Sequence, residues 1–257
     1  MNTKQSKTFK LGNKTLHLLF LTTVGSKLHN LVLNNSDTDL KGVFVWSFED
    51  NFLDSEFKKS LDKSNTKEEE WNELLSSLNK EFDLNLKPDD DLNLFELREF
   101  TRLSLKNDMN MLDMLFSTNH VFNTEVFDTF KNSKNSFLDA AQAKSRFFGM
   151  SKNCLNIFNK NNKRVKEGAK SLQMLFSLRQ LLDNLDYSPS LLNEEERLLV
   201  LAVKNSEKTT DFVLRKYEEL NEELNLKLET YDFESLTFNS ELTNLAMLKV
   251  FKQILLS

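Results

Sequence analysis

Leu16-His17-Leu18-Leu19-Phe20-Leu21-Thr22-Thr23-Val24-Gly25-Ser26, then ten residues, then Asp37-Thr38-Asp39-Leu40-Lys41-Gly42-Val43-Phe44-Val45-Trp46, is the stretch on which the fold turns. The run 16–24 is apolar over the length of a strand and is broken only by His17, Thr22 and Thr23. It is far short of the roughly 18–20 apolar residues a membrane helix needs, and it reads as a buried strand. Gly25-Ser26 ends it, and 27–33 has room for one or two helical turns. Asn34-Asn35-Ser36-Asp37 carries turn chemistry, and 39–46 is a second strand, rich in β-branched and aromatic residues. A strand that runs into Gly-Ser leaves backbone N–H groups free for a phosphate, and glycine permits close approach. Asp37 and Asp39 are two residues apart at a strand start, so both carboxylates point to one face. Converging carboxylates repel unless a cation joins them, and Mg²⁺ takes one or two carboxylates together with substrate phosphates and water. Taken singly, Gly-Ser is a common turn and Asp-x-Asp a common solvated loop; the information lies in their joint placement.

A third acid from a neighbouring strand would complete a two-metal site. Asp91 opens the other strand candidate, 91–95, with Asp89 and Asp90 beside it after Pro88. Residues 47–64 are polar and irregular. Thr66-Lys67-Glu68-Glu69 has the capping-box pattern before Trp71, Leu74, Leu75 and Leu78 at helical spacing. Helices follow over 96–107 and 109–116. Beyond Ser117 the periodicity predicts helices only: 137–158, 164–185, 194–204, 210–228 and 241–256. The expected fold class is α+β, with a small mixed-sheet domain over 1–118, an all-helical domain over 119–257, and the active site between them.

The chain has 257 residues, 39% hydrophobic and 28% charged, so a sizeable core is possible and wholesale disorder is not expected. One cysteine, Cys154, excludes an internal disulfide and a cysteine-based zinc site; a buried, inert thiol is the expected role. His17, His29 and His120 lack metal-ligand spacing. His17 reads as structural; His29 follows the Gly-Ser turn and is placed to approach a substrate, a surface-helix residue being the plainer alternative. There is no Walker-type loop and no dinucleotide fingerprint. Nothing predicts a membrane span or a leader, and a soluble, cytoplasmic protein is the expectation.

The net charge is −5, which argues against nucleic-acid binding by bulk charge. The distribution is uneven: 131–170 carries +8 and 47–96 carries −9. Within the basic segment, Lys144, Arg146, Lys163, Arg164, Lys166 and Lys170 are candidates to face phosphates, a solvated helix face being the plainer alternative. Lys166 and Lys170 share one helical face. Phe147, Phe148 and Phe158 lie in the same segment as candidates to stack on bases, with core packing the commoner role of phenylalanine.

Together these residues resemble the DNA polymerase beta-like nucleotidyltransferase superfamily, whose motif is a hydrophobic residue, Gly-Ser, a gap of about nine to thirteen residues, Asp-x-Asp, and a later carboxylate. Gly25-Ser26-Lys27-Leu28-His29, Ser36-Asp37-Thr38-Asp39-Leu40-Lys41-Gly42-Val43-Phe44, Asp91 to Leu103, Asn107 and Leu112-Asp113-Met114-Leu115-Phe116-Ser117 look like the branch named for an RNA repair pathway, common in phages and bacteria. That resemblance favours Asp91 as the third acid. It implies a nucleotidyltransferase that moves an NMP from an NTP to a hydroxyl acceptor and releases pyrophosphate. Asp37, Asp39 and Asp91 would hold two Mg²⁺ or Mn²⁺ ions, and Asp91 would help deprotonate the acceptor. Gly25 and Ser26 would hold the triphosphate, with Lys27 and Ser36 beside them as nucleotide-binding candidates; Lys166 and Lys170, on one face of the basic segment, are the further candidates. The implied acceptor is an RNA end, tRNA-like, in a cytoplasm (the host's, for a phage-encoded chain). A rival is nucleotidylation of a protein or small molecule, as in toxin–antitoxin enzymes; another is a non-catalytic nucleotide-binding module. The chain departs from the branch in the helical part. Lys170 and Gln173 stand where His and Arg are usual after Lys166, and Gly149-Met150-Ser151 replaces Gly-Tyr-Ala. His29 and Asn30 stand where Tyr and Gly are usual. These departures bear on the substrate more than on the metal chemistry.

Overall fold

Lys7–Leu11 (β1) and Lys14–Val24 (β2) pair antiparallel across the two-residue loop Gly12-Asn13, with Gly12 at φ +60°. The computed structural model describes residues 5–32, 39–47, 49–50, 58–161, 164–190 and 193–255. Asp39–Trp46 (β3) runs antiparallel to β2 along its other edge. Leu92–Glu96 (β5) lies parallel to β3, and Ser60–Leu61 (β4) closes the sheet antiparallel to β5. His120–Asn123 (β6) pairs with β2 at 20–22, beyond the stretch that β1 covers. The sheet is mixed, in the order β1-β2-β3-β5-β4 with β6 also on β2.

Both faces of the sheet are buried, which explains the continuous apolar run of β2. On one face Leu16, Leu18, Phe44 and Trp46 pack with Trp71, Leu74, Leu75 and Leu78 of Glu68–Phe82 (α1). On the other, Leu19, Phe20, Val43 and Val45 join the core of the helical part. That part comprises Leu97–Ser104 (α2), Met109–Phe116 (α3), Glu125–Asn132 (α4), Ala140–Lys160 (α5), Val165–Asn184 (α6), Glu194–Lys204 (α7), Thr210–Glu229 (α8) and Ser240–Leu255 (α9). α6 is its centre: residues 168 to 178 are buried apart from Lys170, and α5, α7 and α8 pack around it. Gly168 admits the Phe158 ring, which a Cβ there would meet at 3.0 Å. Among the described residues no helix is long and apolar enough to cross a membrane.

The α+β architecture matches the sequence expectation, and β2, β3, β5 and the principal helices fall where periodicity puts them. The differences have physical reasons. β1 was legible in the alternating Thr8-Phe9-Lys10-Leu11 and its Gly-Asn turn but is absent from the expected elements. β6, beyond Ser117, forms because the far end of β2 has an open edge there, a tertiary cause invisible in four residues. The residue at the start of α1 is Lys67 rather than Thr66, and its side chain makes no capping bond. The segment after Gly25 is a set of turns, not a helix: Leu31 N donates to Ser26 O at 2.9 Å, and Asn30 sits at φ +55°.

Candidate active site

Strand direction brings the motif together. β3 and β5 are parallel, so both begin at the same end of the sheet; Leu40 pairs with Leu92, and Leu40 N donates to Asp91 O at 2.8 Å. Asp39 and Asp91 each stand one residue before that pair, on adjacent strands. β2 is antiparallel to β3, and its last residue, Val24, pairs with Asp39. Gly25 and Ser26 are therefore delivered to the same end.

Gly25 adopts φ +66°, and a Cβ there would collide with Asp39 Oδ2. Glycine is required for its backbone and for the space it leaves to a carboxylate. Gly25→Ala is expected to cost at least about 1 kcal/mol of stability for the left-handed backbone and to displace the Asp39 carboxylate as well. Gly12→Ala is the control: it shares the positive φ, but its Cβ meets only the movable end of Glu70. Thermal denaturation of both variants checks this, and equal losses would count against the Asp39 contact.

A cavity of about 470 Å³ opens between this sheet end and helices α3, α5, α6 and α7. Gly25, Ser26, Asp39, Asp91, Lys166 and Lys170 all line it. Six of the expected site residues, 145 positions apart from Gly25 to Lys170, thus meet in one place. Ser36 and Asp37 lie outside the described residues. Lys27, on the same turn as Ser26, is exposed and does not line the cavity.

The rest of the basic segment is used elsewhere. Arg146 donates to Asp108, the residue capping α3, and Lys144 sits 5.7 Å from the Phe233 ring. Arg164 is exposed away from the cavity, and Lys163 lies outside the described residues. Phe147 and Phe158 are buried in the core and cannot stack on a base. Cys154 is buried, which together with the neighbouring Glu167 pushes its thiol up to about 11, as an inert thiol requires.

Several lining residues were not anticipated. Lys204, at the end of α7, donates to Ser26 Oγ at 2.7 Å and to Leu31 O at 2.7 Å. Burial and then the charge of Lys166 lower its pKa, against the pull of Asp39. Lys41 lies two residues after Asp39 on the same strand face, which is a signal the sequence did carry. Its ammonium donates to Asn110 Oδ1 at 2.6 Å. Burial lowers its pKa, while Asp113 and Asp91 act in the opposite sense.

His29 lines the cavity, which is the first of its two sequence readings and not the second. It is buried rather than on a surface helix. Its Nε2 donates to Asp113 Oδ2 at 3.0 Å, and its Nδ1 faces the Pro189 carbonyl. Tyr187 donates its hydroxyl to Asp113 Oδ1 at 2.6 Å. Both ring nitrogens face oxygen acceptors, so the imidazolium satisfies both contacts and a neutral ring satisfies one. Burial works against the charged ring, but the Asp113 charge and the two hydrogen bonds outweigh it, and the His29 pKa is raised. Burial, with Asp113 beside it, pushes the Tyr187 phenol well above its ordinary value. The network ties the Gly-Ser turn to α3 and to the loop after α6, and so fixes the cavity walls against one another.

Asp39 and Asp91 supply hard oxygen donors beside a lysine-lined space, the donor type that Mg²⁺ and Mn²⁺ take. Among the described residues no three His, Cys, Asp or Glu side chains cluster to hold one ion; Asp37, two residues before Asp39, is outside them.

No curated protein and no solved structure matches the chain. A family model does, over residues 2–247. The match spans the sheet, the turn that presents Gly25 and Ser26, and the helices that supply the lysines. The chain belongs to the RNA repair pathway DNA polymerase beta family.

Proposed function

We propose that this protein is a nucleotidyltransferase that moves an NMP from an NTP to a hydroxyl on an RNA end and releases pyrophosphate. The observation that carries this is the convergence of Asp39, Asp91, Gly25-Ser26 and the lysines of α6 and α7 on one cavity. Asp39 and Asp91, with Asp37, are the residues that would hold Mg²⁺. Bound metal supplies neutralisation of the charge that develops on the transferring phosphoryl group and a template for the attacking and leaving oxygens.

The chain's own groups account for the remainder. The Gly25-Ser26 turn offers donors to the triphosphate, and the bare Gly25 Cα lets Asp39 stand against it. Lys166 and Lys170 make no hydrogen bond or ion pair with any described residue, so their charges are available to phosphate. Lys204, already on Ser26 Oγ, joins them at the pyrophosphate that leaves. Asp91 Oδ1 accepts the Asn93 amide at 2.5 Å, which fixes the carboxylate that faces the acceptor hydroxyl. The neighbouring lysines favour an anionic acceptor.

The test offers each α-labelled NTP with Mg²⁺ or Mn²⁺ to total cellular RNA and to total protein. Label in RNA that declines steeply with added salt is the expected result. Label in protein alone, insensitive to salt, would replace the RNA acceptor with a protein hydroxyl. Nucleotide binding without label anywhere would leave a non-catalytic module.

A further inference from the structure

The cavity face of α6 carries Lys166, Lys170 and Gln173 in order, a span of seven residues or about 10 Å along the helix axis. Its two ends differ in chemistry. The Lys166 end lies beside the Gly-Ser turn, because Lys204, which holds Ser26 Oγ, feels the Lys166 charge. At the other end Gln173 is followed by Met174, an apolar cavity-lining neighbour.

Gln173 is only 7% exposed, lines the cavity, and makes no hydrogen bond with any described residue. The amide itself is not among the sealed-off polar atoms that lack a partner, so it opens onto the cavity and is free to meet a ligand there. Helix α6 is packed by its neighbours on its remaining sides, so the cavity is where this amide finds its partner.

We infer that Gln173 reads the edge of the nucleobase and that the base is adenine, a reading that rests on the function proposed above. An amide presents a donor and an acceptor side by side. That pair matches the adenine N6–H group and the ring nitrogen next to it, whereas an arginine or lysine would favour guanine and a carboxylate would favour cytosine. Methionine side chains are polarizable and suit the face of a ring. With the triphosphate at Ser26 and Lys166, the base lies toward Gln173, two helical turns along.

The test measures calorimetric affinities of the full chain, with Mg²⁺, for ATP, GTP, CTP, UTP and inorganic tripolyphosphate. The unmodified protein is expected to prefer ATP by about tenfold or more. Gln173→Met, similar in size but without the amide, is expected to bring ATP to the level of the other nucleotides. Its affinity for tripolyphosphate stays unchanged, which also shows that the variant is folded. Gln173→Glu, which keeps the shape but loses the donor, is the second variant and is expected to lose the ATP preference likewise. Nucleotide binding with no preference for adenine, or a preference that survives both variants, overturns this inference alone. A parallel loss of ATP and tripolyphosphate would place Gln173 on the phosphates and also overturns it. An unmodified protein that binds neither nucleotide nor tripolyphosphate would overturn the proposed function, and this inference with it.

Discussion

Asp39→Asn and Asp91→Asn are each expected to lower nucleotidyl transfer by about a thousandfold or more while the chain stays folded. The magnitude follows from what the carboxylates do. Metal-assisted stabilisation of a transferring phosphoryl group is worth several kcal/mol, and each 1.36 kcal/mol is about a factor of ten in rate. Asparagine keeps the size and the hydrogen-bonding oxygen but gives up the charge, so packing against Gly25 and the bond from Asn93 are disturbed little. The readouts are single-turnover transfer from a labelled NTP and, separately, binding of Mn²⁺ as a spectroscopic substitute for Mg²⁺. A variant that keeps a tenth of the activity of the unmodified chain would remove these residues from the metal site. By contrast, substituting one of the three lysines Lys166, Lys170 and Lys204 is expected to have a smaller effect, because the other two still face the same phosphates.

Asp113→Ala has the largest expected effect on stability, about 3–5 kcal/mol, the cost of removing one partner from a buried ion pair. That is a large share of the roughly 5–15 kcal/mol that holds a typical domain together. Substitution strands the His29 ring and the Tyr187 hydroxyl in the core at once. The exposed Lys63–Asp89 pair is the comparison: solvent screens it, and breaking it is expected to leave stability almost unchanged.

The His29 contribution also has a defined sign with pH. Its pKa is raised in the folded chain, so the folded state binds its proton more tightly than the unfolded chain does. The stabilisation is therefore complete below the unfolded value, about 6.5, and is lost as the pH rises through the raised value. Urea denaturation between pH 6 and pH 9 is expected to show the gap between the unmodified chain and Asp113→Ala narrowing as pH increases. A gap that is constant over that range would mean that His29 is neutral and that the pair is an ordinary hydrogen bond.

Local sequence determined the parts of the site that depend on periodicity and strand order. The apolar run of β2, the alternation in β3, and the acids at the starts of β3 and β5 were enough to place Gly25, Ser26, Asp39 and Asp91 at one end of a mixed sheet. A strand's direction and facing are encoded in its own residues, so these positions follow from short windows. Lys166 and Lys170 were legible for the same reason, as neighbours on one helical face. Their basic companions were not separable by that criterion: Arg146 has the same charge and the same segment, but Asp108 takes it up.

Tertiary structure alone decided the residues that complete the cavity. Lys204 reaches Ser26 across 178 positions, Asp113 joins His29 to Tyr187 from a separate element, and Gln173 faces the cavity without a partner. No window of sequence distinguishes a solvated lysine from one that folds back onto a serine, or a surface histidine from a buried imidazolium. Charge, hydrogen bonding and burial act through distance in space, and for these residues that distance is set by how the helical part packs onto the sheet.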